Sequence, residues 1–142
     1  MVKENILILI RYQETNIEVV SLNINDIEVN LSVLSNYLDR VDIIGYACAR
    51  NSRILENELN EFNNFKNNLL IQYGHKELDD NGIETGSISL DQTDAKYELA
   101  INEYKKIVSL DRDLPIIRIK YSDVIGLLSG NEILQLDWML ED

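Results

Sequence analysis

Asp42-Ile43-Ile44-Gly45-Tyr46-Ala47-Cys48-Ala49 stands between two segments whose apolar residues recur at helical spacing. Its adjacent isoleucines and the apolar run from Ile43 to Ala49 predict a strand. Before it, Ile27, Leu31, Leu34, Leu38 and Val41 recur at steps of four, three, four and three, one stripe of a helix capped by Asn25-Asp26. After it, Ser52 reads as the cap of a second helix with the stripe Leu55, Leu59, Phe62 and Leu69. The opposite face of that helix, Asn57, Asn60, Asn64 and Asn67, reads as solvated. A strand between two amphipathic helices gives an alternating α/β pattern.

The segments farther out extend that pattern. Ile6-Leu7-Ile8-Leu9-Ile10 predicts another buried strand, and Ile17, Val19, Leu22 and Ile24 predict the next. Leu69 to Tyr73 reads as a short strand after a break at Asn67-Asn68, and Gly74 to Gly86 as an exposed loop or hairpin tip. Ile88 and Leu90 fit a strand. A third helix follows, capped by Thr93 or Asp94, with the stripe Tyr97, Ile101, Tyr104 and Val108. The helix ends at Asp111 to Pro115, because proline disfavours helix at the residue before it. Ile116 to Tyr121 predicts a strand, Val124 to Leu128 a short helix capped by Ser122 and ending near Gly130, and Ile133 to Leu140 a closing strand. The expected fold is one globular α/β or α+β domain over residues 1–142. Its single-layer mixed sheet has about five to seven strands covered by three main helices.

The 142 residues carry 13 Lys and Arg against 25 Asp and Glu, a formal charge of −12. Nonspecific binding to nucleic acid or anionic membrane rests on Lys and Arg and is not expected here. With 45% hydrophobic residues the chain is too apolar for intrinsic disorder. Cys48 is the only cysteine, which excludes an internal disulfide and reads as a small buried hydrophobe. Met1-Val2-Lys3-Glu4-Asn5 is unlike a signal-peptide n-region, and no run reaches the ~18 apolar residues of a membrane span. The expectation is a cytoplasmic protein.

Catalytic and cofactor chemistry finds little purchase. His75 is the only histidine, so any Ser-His or Cys-His relay depends on it, and no G-x-S-x-G elbow occurs. One His and one Cys complete no zinc site without carboxylates. Glu77-Leu78-Asp79-Asp80-Asn81-Gly82 begins like an EF-hand loop, but its twelfth position is Ile88 where a bidentate Glu is required. Asp80-Asn81-Gly82 therefore reads as a turn. The glycines at 45, 74, 82, 86, 126 and 130 form no phosphate-binding loop. No cofactor, metal or catalytic residue is assigned, and the protein is read as a non-enzyme.

Charge distribution is more informative. Residues 1–50 hold seven acids and four bases, residues 77–113 ten and four, and residues 123–142 five acids and no Lys or Arg. An acidic excess concentrated in the second half suits a surface that docks on a basic partner, with electrostatic attraction speeding encounter. The expected contact residues are Glu77, Asp79, Asp80 and Glu84 on the loop, Asp91 and Asp94 before the third helix, Asp111 and Asp113 after it, and Asp137. Tyr73, Tyr97, Tyr104 and Trp138 are candidate aromatic anchors, with Tyr97 and Tyr104 also on a core stripe. In size, acidity and lack of catalytic motifs the chain resembles immunity proteins and phage-encoded inhibitors. The expectation is a non-enzymatic immunity protein for a nuclease-type toxin or a phage anti-defence inhibitor that neutralises a basic nucleic-acid-binding effector. Three other classes stay open: an assembly or regulatory module (including a homo-oligomer) whose acids confer solubility, a carboxylate- or metal-dependent enzyme, and a small-ligand binder.

Overall fold

The computed structural model of the chain describes residues 17–142, so the strand expected at Ile6–Ile10 lies outside the described residues. In chain order these residues form β1 (Ile17–Leu22), α1 (Ile24–Leu34), a 3-10 turn (Ser35–Tyr37) and α2 (Ile43–Tyr73). There follow β2 (His75–Leu78), β3 (Glu84–Ser89), α3 (Tyr97–Val108), β4 (Arg112–Ile117) and β5 (Ile119–Lys120). The chain closes with α4 (Tyr121–Val124), α5 (Gly130–Leu136), a 3-10 turn (Asp137–Met139) and β6 (Leu140–Glu141). The contacts of the described residues cluster in two compact units: residues 17–57 with Asp111–Asp142, and Glu58–Leu110.

The segment read as a strand at Asp42–Ala49 is the beginning of α2, a helix of 31 residues. Asp42 starts it: its carbonyl accepts from the Tyr46 N–H at 3.1 Å and its carboxylate from the Gly45 N–H at 3.1 Å. Ile44, Cys48, Asn51 and Leu55 are buried at steps of four, three and four, so one helical stripe crosses the supposed strand–helix boundary. Two polar residues on the buried side, Asn51 and Ser52, hid its continuity. Gly45 belongs to packing, not to a turn, since a Cβ there would lie 2.0 Å from the Arg40 carbonyl oxygen. Leu69 to Tyr73 completes the same helix, with no break at Asn67-Asn68.

α1 begins earlier than expected. Asn23, not Asn25-Asp26, caps it, in a reciprocal capping box with Asp26. Of the expected stripe Ile27 and Leu34 are buried, whereas Leu38 and Val41 are exposed, because the helix gives way to a 3-10 turn in which Tyr37 is the residue that turns inward. The closing strand expected over Ile133–Leu140 is α-helix through Leu136 and a 3-10 turn through Met139, with only Leu140 on a strand. Ser129 and Glu132 form a second capping box that opens α5, and Leu136 and Met139 turn inward three residues apart. Gly130 thus starts a helix instead of ending one. The short helix before it is Tyr121–Val124 and has no side-chain cap.

Three two-stranded sheets replace the expected five-to-seven-stranded layer among the described residues. β1 and β4 pair antiparallel, from Ile17 opposite Ile117 to Leu22 opposite Arg112, and β5 runs parallel to β6. Pro115 lies within β4, which extends back to Arg112, rather than ahead of the strand. Both α and β elements are present, but too many of the expected strands are helix for one continuous sheet to form.

The first unit's core gathers Ile27, Leu34, Ile44, Leu55, Ile116, Ile119, Leu136 and Met139. Asn51 is buried among them and acts as a surrogate strand for Ile117. Its amide accepts from the Ile117 N–H at 2.8 Å and donates to the Ile117 carbonyl at 3.0 Å. In the second unit, the end of α2 and the stripe of α3 pack together, with Phe62 and Tyr104 ring centroids 5.9 Å apart.

Candidate functional site

The acidic segment of the second unit is a β-hairpin. β2 and β3 pair antiparallel, His75 opposite Ser89 and Leu78 opposite Glu84, with a register shift between Lys76 and Leu78. Its turn is built by Asp79, whose carboxylate accepts from the Asn81 N–H at 2.8 Å and the Ile83 N–H at 2.9 Å. Gly82 supplies the left-handed conformation the turn requires, with φ at +79°. The EF-hand-like spacing is therefore a turn whose first carboxylate partners are backbone N–H groups.

Leu78 and Ile83 flank the turn and are 59% and 62% exposed, in a setting of carboxylates. Asp80 stands at the tip, and Glu77 and Glu84 lie on the strands, all three exposed. Glu84 pairs with Lys76 at 3.3 Å, and Glu77 accepts from the Ser89 hydroxyl. The alternation of acid and apolar side chains makes the hairpin tip an apolar pair with a negative rim. Sequence reasoning named the acids and missed Leu78 and Ile83. Their position beside the turn residues was the available signal, because apolar residues at an exposed turn have no core to enter.

Asp91 and Asp94 do not cap α3. The helix starts at Tyr97 after Lys96, with no side-chain cap, and the two aspartates shape the turn that precedes it. The Asp91 carboxylate accepts from the Thr93 hydroxyl and from the Thr93 N–H at 2.8 Å, bonds that in that order hold its carboxyl below the usual range. Asp94 accepts from the Asp91 N–H at 2.9 Å and faces His75 Nδ1 at 2.9 Å. That hydrogen bond lifts the imidazole above its ordinary pKa, with the Asp94, Asp91 and Glu77 charges adding to it. Asp91, Asp94 and His75 thus converge beside the base of the hairpin.

Three of the expected contact residues belong to the other unit. Asp111 precedes β4, Asp113 lies on β4 opposite Ser21, and Asp137 opens a 3-10 turn and accepts from the Tyr121 hydroxyl. All three are exposed. Of the aromatic candidates, Tyr97 and Tyr104 are half-buried on the α3 stripe, Tyr73 bonds Glu103 at 3.5 Å, and Trp138 is half-buried. The second unit also holds an apolar cavity of about 240 Å³ lined by Leu69, Leu70, Leu90, Ala100, Ile101, Lys66 and Tyr104.

Cys48 is fully buried, and burial pushes its thiol up to about 12, which leaves it protonated at neutral pH. No described helix is long and apolar enough to cross a membrane. No protein-family model, curated protein or solved structure matches the chain.

Proposed function

We propose that the chain is a non-enzymatic, cytoplasmic inhibitor that docks on a basic protein and occludes its phosphate-binding surface. The partner class is a nuclease-type toxin, for which this chain acts as immunity protein, or a basic nucleic-acid-binding effector of anti-phage defence. One observation carries the reading: Leu78 and Ile83 are exposed at a hairpin tip whose other side chains are mainly carboxylates. Apolar side chains set in a charged rim are the anatomy of a binding epitope, in which the centre supplies affinity and the rim supplies steering. Glu77, Asp79, Asp80 and Glu84 make the rim, and Asp91 and Asp94 add charge within the same unit. Asp111, Asp113 and Asp137 contribute to the long-range negative field of the chain.

The test is affinity capture from host cells at low salt, with stepwise salt elution and mass spectrometry. The wild-type chain is compared with a Leu78→Ser/Ile83→Ser variant and a Glu77→Gln/Asp80→Asn/Glu84→Gln variant. The reading predicts one basic protein held by the wild type, released by moderate salt, and lost or strongly reduced with both variants. Capture of nothing, or of a protein equally retained by both variants, contradicts it. An assembly role is the second reading. It draws on Val29, Val41, Ile125 and Leu134 of the other unit, whose exposures run from 63% to 104%. It predicts self-association insensitive to salt in sedimentation.

A further inference from the structure

We propose that His75, Asp91 and Asp94 form a binding site for a divalent transition-metal ion of the zinc class, held by one imidazole nitrogen and two carboxylates. Each residue offers one donor atom, and the three donors lie within 4.8 Å of one another. Strand pairing produces the convergence: His75 opens β2 opposite Ser89, at the end of β3, and the turn carrying Asp91 and Asp94 follows directly. Zinc bonds nitrogen and oxygen at about 2.0–2.2 Å, which places its donors roughly 3–4 Å apart, so small side-chain rotations close this cluster on an ion.

The donor set defines the ligand. His75 is the chain's only histidine and sits where two carboxylates meet, which sets this cluster apart from the other acidic groups of the surface. An imidazole nitrogen favours zinc, cobalt or nickel, whereas calcium and magnesium take sets of oxygen ligands. The ion would occupy the place of the proton that His75 Nδ1 now shares with Asp94 across 2.9 Å. The carboxylates are already oriented from behind, Asp94 by the Asp91 N–H at 2.9 Å and Asp91 by the Thr93 N–H at 2.8 Å. Such outer bonds fix the ligands of a metal before it arrives. Three protein ligands leave one position of a tetrahedral ion to water. This site is independent of the docking reading, which rests on the hairpin tip.

The test is isothermal titration of the full chain with zinc chloride at neutral pH. The His75 ring resonances and the visible absorption of the cobalt-substituted protein are followed in parallel. The expected result is one saturable equivalent that shifts the His75 signals and survives excess magnesium. His75→Gln, which removes no backbone contact, is expected to lower affinity about tenfold or more, as is Asp94→Asn with its fold checked by circular dichroism. Glu61→Gln, an exposed position on α2 outside the cluster, is expected to leave the affinity unchanged. Absence of saturable binding, or full affinity in His75→Gln, overturns the proposal. Loss of partner capture in the hairpin-tip variants does not bear on it.

Discussion

Asn51 holds both backbone polar groups of Ile117 at the end of β4, and it does so with no exposed surface. A buried amide in that position specifies which turn of α2 meets which residue of β4, because no apolar side chain satisfies an N–H and a C=O together. Replacing it by leucine of similar volume leaves both groups unpartnered, and the expected loss is about 2–4 kcal/mol in urea unfolding. A loss below about 0.5 kcal/mol would show that the pair carries no weight. Cys48 is the opposite case, an inert group whose burial sets its thiol near 12. Thiol reagents are expected to leave the native chain unmodified at neutral pH and to react once denaturant is added. Fast labelling of the native chain would contradict that assignment. Cys48 was legible in the sequence as a small hydrophobe among apolar neighbours. Asn51 was not, since nothing in a single polar residue announces that it points inward.

The strongest local signal misled at the scale of the element. Ile43 and Ile44 favour a strand by β-branching, yet the steps Ile44, Cys48, Asn51 and Leu55 bury a helical face, and packing of that face overrides a small propensity difference. The same held at the C-terminus, where Ile133 to Leu140 reads as a strand in the sequence. The Ser129–Glu132 box specified a helix start instead, and Leu134 is 74% exposed. The helices over Ile27–Leu34 and Tyr97–Val108 were legible from their apolar spacing alone, because the residues expected to cap them, Asn25-Asp26 and Thr93 or Asp94, are not the ones that start them. Asp42 opens α2 and bonds Arg40 at 2.7 Å. The Arg40 hydrogen bond, aided by the Gly45 N–H, holds the Asp42 carboxyl below the usual range. A carboxyl depressed by folding stabilises the native chain above the unfolded pKa of about 3.9, and that contribution is lost as pH falls through the folded value. Asp42→Ala is therefore expected to cost about 1 kcal/mol at neutral pH. The difference from wild type should shrink in acid unfolding below about pH 4. An unchanged difference across that window would remove Asp42 as the cap.

For the whole molecule, charge was read directly and its placement was not. The net −12 and its concentration after residue 77 follow from counting, but only the fold divides the expected contact residues between two units. Glu77, Asp79, Asp80, Glu84, Asp91 and Asp94 share one of them, whereas Asp111, Asp113 and Asp137 belong to the other. The fold also gives individual acids separate work: Asp79 and Asp91 build turns, while Asp80 is presented at a tip. An electrostatically steered complex binds faster at low ionic strength, and neutralising its rim flattens that dependence while changing dissociation less. The decisive measurement is the association rate of the captured basic partner as a function of salt, for the wild-type chain and for Glu77→Gln/Asp80→Asn/Glu84→Gln. Docking through the hairpin predicts a wild-type rate that falls steeply with salt and a distinctly shallower slope for the variant. Identical slopes, or a wild-type rate indifferent to salt, would contradict it.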